Sequence, residues 1–238
     1  MNARILLVLI LFAGAAFAAN SYVIAVDASG SMAYKVDGVR KFITVRDALV
    51  CMLGSMKPGD EIAIFLFEDI DRVTLVQNFT TDKGVLEFAI SRMTSRYGSS
   101  DLPSGINVSS TFALANARNQ NKFVIVISDG GTATAALFET AAHFRRAGIA
   151  KIQVVGIGVD TTVRPGMALE GIADNGGGSF YTTNYYPTTC ATLKAAYEDT
   201  TVRGGGIDWW PLGILVLLTL ALTYVAWRYL ARPRTEWE

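Results

Sequence analysis

Three oxygen-bearing side chains at alternate positions follow the first apolar run of the chain. Residues 22–26 predict a buried strand, and Asp27, Ser29 and Ser31 come directly after it. In an extended or gently turning loop, alternate residues point the same way, so a carboxylate and two hydroxyls can aim at one point. Oxygen ligands with few charges suit Mg²⁺, Mn²⁺ or Ca²⁺ rather than zinc. The same residue types also form turns and helix caps after strands, so this spacing alone leaves a turn and a cation-binding loop both open.

A further carboxylate, Asp129, follows a second continuous apolar strand over residues 122–128. Strands and helices alternate along the chain, which predicts an α/β fold with a mostly parallel sheet. In such sheets ligands bind beyond the carboxyl ends of the strands, where the strand order reverses. The two most hydrophobic strands end at Asp27 and Asp129, so we expect them to be central neighbours. Because their carboxyl ends would then lie side by side, this arrangement favours a cation-binding loop after Asp27 over a simple turn.

The elements that must position these residues are predicted from hydrophobic periodicity and from glycine and proline breaks. Further strands are predicted over residues 61–67, 72–77 (an antiparallel edge strand), 151–157 and 179–182. Helices are predicted over residues 39–56, 105–118, 134–147, 167–174 and 188–200, with one more that ends at residue 93 and is capped by Thr81 or Asp82.

Composition limits the function classes. Lys and Arg together number 21, as do Asp and Glu, so nothing indicates nucleic acid or an acidic membrane surface as the main partner. Hydrophobic residues make up 51% of the 238 residues, which is above the usual globular share. Two terminal segments account for the excess.

The first apolar segment predicts a signal peptide over residues 1–19. Arg4 precedes a continuously apolar or small stretch, and residues 16–18 match the small-x-small cleavage pattern. An uncleaved anchor is the alternative, but the stretch is short for a span of about 20 residues.

The second apolar segment predicts a transmembrane helix over residues 211–230. It is uncharged from 212 to 227, and tryptophans stand at both ends as in an aromatic belt. Arg228, Arg232 and Arg234 then place the tail, residues 231–238, in the cytoplasm. Because a buried core helix would not need this belt and these arginines, we expect a single-pass type I cell-membrane protein whose domain lies outside and is joined by a Gly-rich linker, residues 204–210.

Over residues 20–203 the sequence resembles the von Willebrand factor type A domain. The resemblance rests on Asp27-Ala-Ser-Gly-Ser after the first strand, Gly98-Ser-Ser-Asp before a helix, and Ile-Val-Ile-Ser-Asp129-Gly after a later strand. Lys57-Pro-Gly-Asp and Leu169-Glu-Gly-Ile-Ala-Asp-Asn-Gly-Gly-Gly also match. The family implies a doubly wound, mostly parallel six-stranded sheet flanked by helices. Its strand order is 3-2-1-4-5-6, and only strand 3 is antiparallel.

The resemblance also implies a metal-ion-dependent adhesion site. Its serines bind the ion directly, and its aspartates bind directly or through water. By this resemblance the metal ligands are Asp27, Ser29, Ser31, Ser100 and Asp129.

The second loop of the site departs from the family pattern. The usual threonine falls on Ser100, with Ser99 as the other register, and serine lacks the methyl group that fixes the hydroxyl rotamer. Asp101 either orients this loop or caps the following helix.

The function implied is binding, not catalysis. A partner Asp or Glu would occupy the open position of a bound Mg²⁺, or of Mn²⁺ or Ca²⁺. One alternative is a metal-independent scaffold subunit of a membrane complex of the kind associated with MoxR-type ATPases. Another is a phosphatase-type hydrolase using Asp27, but that class needs a second carboxylate where Ser29 stands. A serine hydrolase needs a base, and the single histidine, His143, lies on a helix far in sequence from the strand ends.

The two cysteines provide a test of the helix placement. Cys51 lies near the end of the first predicted helix and Cys190 near the start of the last. In this family those helices run roughly parallel on one face, which would separate the cysteines by about 15 Å at the helical rise per residue. That exceeds disulfide reach, so no intramolecular disulfide is expected.

Overall fold

The structure is a computed structural model that describes residues 19–36, 38–69, 72–96, 98–130, 134–184 and 186–199. Residues 1–18 of the predicted signal peptide lie outside the described residues, as do the predicted linker, transmembrane helix and tail. Within the described ranges, no helix is both long enough and apolar enough to cross a membrane.

Strands and helices alternate along the described chain. The strands are β1 (Asn20–Asp27), β2 (Lys35–Val36), β3 (Val39–Arg40), β4 (Glu61–Phe67), β5 (Val73–Thr80), β6 (Asn121–Ser128), β7 (Lys151–Ile157) and β8 (Gly177–Thr183). The helices are α1 (Lys41–Leu53), α2 (Lys83–Ser91), α3 (Leu102–Asn116), α4 (Ala135–Ala147), α5 (Arg164–Asn175) and α6 (Tyr186–Glu198), with a short 3-10 helix at Gly30–Ala33.

The main sheet has six strands in the order β5-β4-β1-β6-β7-β8. All neighbours are parallel except β4 and β5, which are antiparallel. The strand numbers differ from those predicted because a small hairpin, β2 with β3, precedes β4 and is not predicted. When the strands are numbered along the chain without that hairpin, their order across the sheet is 3-2-1-4-5-6.

Strand β1 explains why the core has two layers. Successive side chains of a strand point to opposite faces, and helices cover both faces of this sheet. Tyr22 and Ile24 therefore pack in one apolar cluster with residues of α1 and α6. Val23 and Ala25 pack in the other with residues of α3 and α4. Burial on both faces accounts for the continuous apolar sequence of the strand.

Two helix starts depend on aspartate caps. Asp82 caps α2 by accepting hydrogen bonds from the backbone N–H groups of Gly84 and Val85, at 2.8 and 3.1 Å. Helix α3 begins at Leu102, three residues before the predicted start, because proline is tolerated in a first turn and Pro103 lies there. These caps set where the loops before the helices end.

Cys51 of α1 and Cys190 of α6 form a disulfide, with Cα atoms 5.9 Å apart, so the expected absence of a disulfide is wrong. The reason is an axial offset. The eleventh residue of α1 lies level with the fifth of α6, a shift of six residues, or about 9 Å. Beyond the end of α1, Lys57 accordingly donates its backbone N–H to the Tyr197 hydroxyl at 3.2 Å. The pair Cys51–Cys190 is followed by the pair Lys57–Tyr197, so residue numbers rise together on both segments, as parallel helices require.

Candidate metal centre

The five predicted site residues come together at one edge of the sheet. Strands β1 and β6 are adjacent and parallel, so their carboxyl ends meet at that edge. Asp27 is the last residue of β1, and Asp129 directly follows β6. The loop before α3 brings Ser100 to the same place.

The first loop turns its two serines toward each other. The Ser29 backbone N–H donates to Asp27 Oδ1 at 2.9 Å, which bends the chain into the 3-10 helix that carries Ser31. The hydroxyl oxygens of Ser29 and Ser31 lie 3.1 Å apart. The Ser31 hydroxyl also donates to Asp129 Oδ1 at 2.8 Å, which joins this loop to the loop after β6.

Asp27 is the buried centre of the network, with none of its surface exposed. Its Oδ2 accepts hydrogen bonds from the hydroxyls of Ser100 and Ser128, at 2.7 and 2.6 Å. Burial raises the pKa of the Asp27 carboxyl, and hydrogen bonds from Ser128, Ser29 and Ser100 offset this only in part. A nearby cation would favour the ionised form and relieve the cost of that burial.

Asp129 divides its two oxygens between different partners. Oδ1 accepts from Ser31, and Oδ2 accepts from the Lys41 ammonium at 2.8 Å. The ion pair is well shielded, because the side chains of Lys41 and Asp129 are only 14% and 5% exposed. Lys41 is therefore part of the site, although it is not among the predicted site residues.

Main-chain hydrogen bonds fix the second loop against the first. The Gly30 N–H donates to the Gly98 carbonyl at 2.9 Å, and the Arg96 N–H donates to the Ala28 carbonyl at 2.7 Å. These bonds hold the backbone on both sides of Ser29 against the loop that carries Ser100.

The neighbours of Ser100 have other contacts. The Ser99 hydroxyl donates to Asp69 Oδ1 at 2.9 Å, outside the network around Asp27. Asp101 caps α3 by accepting from the Ser104 backbone N–H at 3.3 Å. The hydroxyl that this loop presents to Asp27 is therefore that of Ser100.

Ser128 and Lys41 are the two members that sequence reasoning missed. Ser128 had a sequence signal, because it ends the same apolar strand that precedes Asp129. Lys41 had none, because its partner lies 88 residues away in the chain and the pairing depends on the tertiary fold.

The oxygen spacing fits a small divalent cation. Adjacent ligands of octahedral Mg²⁺ lie about 3.0 Å apart, given metal–oxygen distances of about 2.1 Å. The Ser29 and Ser31 hydroxyls are 3.1 Å apart, and Ser31 Oγ is 2.8 Å from Asp129 Oδ1. In the described part of the chain, no group of three or more His, Cys, Asp or Glu side chains is placed to hold a metal. An ion in this site would therefore depend on hydroxyl ligands as well as carboxylates.

Comparisons with solved structures identify several similar folds. The conserved hypothetical protein BatB from Bacteroides thetaiotaomicron is 15% identical with a TM-score of 0.64, over 76% of this chain and 98% of that one. An aerotolerance-related membrane protein from Bacteroides fragilis, carrying several mutations to serine, is 15% identical with a TM-score of 0.63 over the same shares. Proximal thread matrix protein 1 from the mussel byssus, with a zinc-occupied metal-ion-dependent adhesion motif, is 17% identical with a TM-score of 0.58, over 75% of this chain and 46% of that one.

At these identities the likeness concerns the fold alone, and a search of curated proteins finds no match. The sequence itself gives a family match over residues 22–132, to the von Willebrand factor type A domain. That stretch, a little under half of the chain, contains all five predicted site residues. Residues 22–132 therefore match the von Willebrand factor type A domain, and the fold of the chain is similar to that of the solved structures.

Proposed function

We propose that this chain is a binding protein rather than an enzyme, and that it holds a divalent cation, Mg²⁺ or else Mn²⁺ or Ca²⁺. The ligands would be Asp27, Ser29, Ser31, Ser100 and Asp129. The observation that carries the proposal is the hydrogen-bonded network that joins these five residues at the carboxyl edge of the sheet. When bound, the cation supplies an electrophilic position that accepts an Asp or Glu side chain of a partner protein.

The chain's own residues suit binding better than bond cleavage. Three of the five ligands are neutral hydroxyls, which keeps the negative charge low and leaves the cation able to attract a further carboxylate. Both oxygens of Asp27 already accept hydrogen bonds and the residue is fully buried, so it is a poor candidate for the nucleophile of a phosphatase. Tyr34, three residues after Ser31, is 71% exposed and offers an apolar contact beside the site.

The proposed location is the cell membrane, as a single-pass type I protein with the domain outside. The support is the charge and hydropathy pattern at both ends of the sequence. The similar protein from Bacteroides fragilis is described as a membrane protein, which agrees with this location. The even charge balance supports a protein partner rather than a nucleic acid.

Cation binding is tested by titrating the full-length chain, solubilised in detergent, with Mn²⁺ or Mg²⁺ in a calorimeter. The Ser100→Ala and Ser99→Ala variants form a matched pair, because they remove neighbouring hydroxyls of which only Ser100 contacts Asp27. Ser100→Ala should weaken cation binding about tenfold or more, which corresponds to one lost ligand of about 1.4 kcal/mol. Ser99→Ala should bind like the parent. Equal affinities in all three proteins would refute the assigned ligand set.

Partner binding is tested by capture from the source cells with and without EDTA. The parent should retain a partner protein that is lost when EDTA is added and that Asp27→Ala does not retain. An excess of an aspartate-containing peptide should also release it, because the peptide would compete for the cation. A partner whose binding survives both EDTA and Asp27→Ala would refute cation-mediated recognition.

That last outcome would support a second function, a metal-independent scaffold subunit of a membrane complex of the kind associated with MoxR-type ATPases. One observation favours it. The Lys41 ammonium already neutralises Asp129, so the site has a cationic partner within the chain itself.

A further inference from the structure

Lys41 is held firmly beside the candidate metal centre. It is the first residue of α1, and its backbone N–H donates to the Tyr34 carbonyl at 2.9 Å, which ties it to the first loop. Its side chain passes close to Gly158, where a Cβ atom would lie only 3.2 Å from Lys41 Cε. With a φ of +64°, Gly158 also has a backbone conformation that side chains disfavour. The lysine thus reaches Asp129 through a gap that a glycine keeps open.

The ammonium shares a carboxylate with the candidate ligand set. Asp129 Oδ2 accepts from Lys41, while Oδ1 accepts from Ser31. A divalent cation among the hydroxyls of the first loop would use that same carboxylate. Because the ion pair is only slightly exposed, water screens the repulsion between the two cations less than it would at an open surface.

We propose that Lys41 is an internal counter-cation that competes with the divalent cation for the charge of Asp129 and so sets a weak affinity. This inference rests on the proposed function. With Lys41 in place, Asp27 and Asp129 offer a divalent cation one net negative charge instead of two. The same ammonium keeps Asp129 neutralised when the divalent cation is absent, so the domain does not need the cation in order to fold. The site would be filled conditionally, by cation supply or by an arriving partner.

The expected size of the effect follows from Coulomb's law. A unit positive charge about 6 Å from a divalent cation weakens its binding about tenfold even at the dielectric constant of water. Because the Lys41–Asp129 pair is shielded from water, Lys41 should weaken divalent-cation binding by at least that factor. Replacing Lys41 by a neutral residue should therefore tighten cation binding about tenfold or more.

The experiment measures Mn²⁺ affinity by calorimetry, and thermal unfolding in EDTA and in excess Mg²⁺, on the full-length chain. Lys41→Gln removes the charge and keeps a hydrogen-bond donor for Asp129, and Lys41→Met serves as a second neutral variant should glutamine fold poorly. Lys41→Arg keeps the charge. Lys35→Gln removes one charge at an exposed position of the hairpin strand β2, where solvent screens it.

The neutral Lys41 variants should bind Mn²⁺ more tightly than the parent, Lys41→Arg should not, because it keeps the charge, and Lys35→Gln should bind like the parent. The neutral variants should also have a lower midpoint temperature in EDTA and a larger upward shift with Mg²⁺. Equal or weaker Mn²⁺ binding by the neutral variants would overturn the inference alone, because it would make Lys41 a positioning residue for Asp129. Absence of binding at millimolar Mn²⁺ in every protein would refute the cation site itself and this inference with it.

Discussion

Removing the disulfide between α1 and α6 should cost the domain a large part of its stability. Cys51 and Cys190 are 139 residues apart in the chain, so the bridge closes most of the domain into one loop. The chain-entropy relation gives about 5 kcal/mol for a loop of that length, and measured losses for native bridges are about 2–5 kcal/mol. Small domains are stable by about 5–15 kcal/mol in total. We therefore expect Cys51→Ser with Cys190→Ser to lower the free energy of unfolding by about 2–5 kcal/mol.

The assay is urea unfolding followed by circular dichroism. Tryptophan fluorescence would not report on the domain, because all four tryptophans lie within residues 209–237 of the sequence. Each single serine variant should lose as much stability as the double variant, since either one breaks the bridge. Cation affinity should be retained while the domain is folded, because Cys51 lies ten residues along α1 from Lys41, or about 15 Å.

Two results would refute this reasoning. An intact mass equal to that of the fully reduced chain, measured without added reductant, would mean that the bridge does not form. A double variant as stable as the oxidised parent would mean that the offset between α1 and α6 is fixed by packing alone. The Tyr197 contacts to Lys57 and to the Asp60 carboxylate would then be sufficient to hold α6.

Three further substitutions test the polar networks. Ser128→Ala should lower the free energy of unfolding in EDTA by about 1–3 kcal/mol, because Asp27 loses a buried hydrogen-bond donor; urea titration measures it. Ser100→Thr should bind Mn²⁺ at least as tightly as the parent in a calorimeter, because a β-branched side chain restricts the hydroxyl rotamer. For Asp199, burial raises the pKa but hydrogen bonds from Lys151, Ser179, Tyr181 and Gln153 outweigh it and bring the pKa to about 2. Because this lies below the unfolded value, the stabilisation is present above about pH 4 and is lost as the pH falls toward 2. Asp199→Asn should therefore cost about 1–2 kcal/mol at pH 7, after allowance for partial exposure, and little below about pH 2 in unfolding experiments.

Sequence reasoning located the candidate site because the relevant signals are local. The strands that carry Asp27 and Asp129 are continuous apolar runs, and such runs identify central strands of a parallel sheet. Once two strands are neighbours, the residues after them must meet at the same edge. The serines add to the pattern by their spacing within one loop. None of these steps requires knowledge of side-chain packing.

The features that sequence reasoning missed depend on how whole elements pack. The disulfide exists because α6 is offset along α1, and an axial offset leaves no pattern in either helix. The Lys41 pairing likewise depends on where α1 begins relative to β6. The hairpin of β2 and β3 is a different case. It surrounds an Asp-Gly pair, a known signal for a two-residue hairpin loop, but its strands of two residues are too short to show alternation.

The charges at the proposed site determine how cation and partner would depend on each other. Asp27 and Asp129 carry two negative charges and Lys41 one positive charge, so a divalent cation leaves the assembly with one net positive charge. A single carboxylate from a partner removes that excess, and it would do so in a site whose central residue is fully buried, where unbalanced charge is costly. The cation should therefore strengthen partner binding, and linkage requires the partner to strengthen cation binding by the same factor. If the site binds the cation weakly by itself, as proposed above, this coupling would make the partner a co-determinant of whether the cation is bound at all.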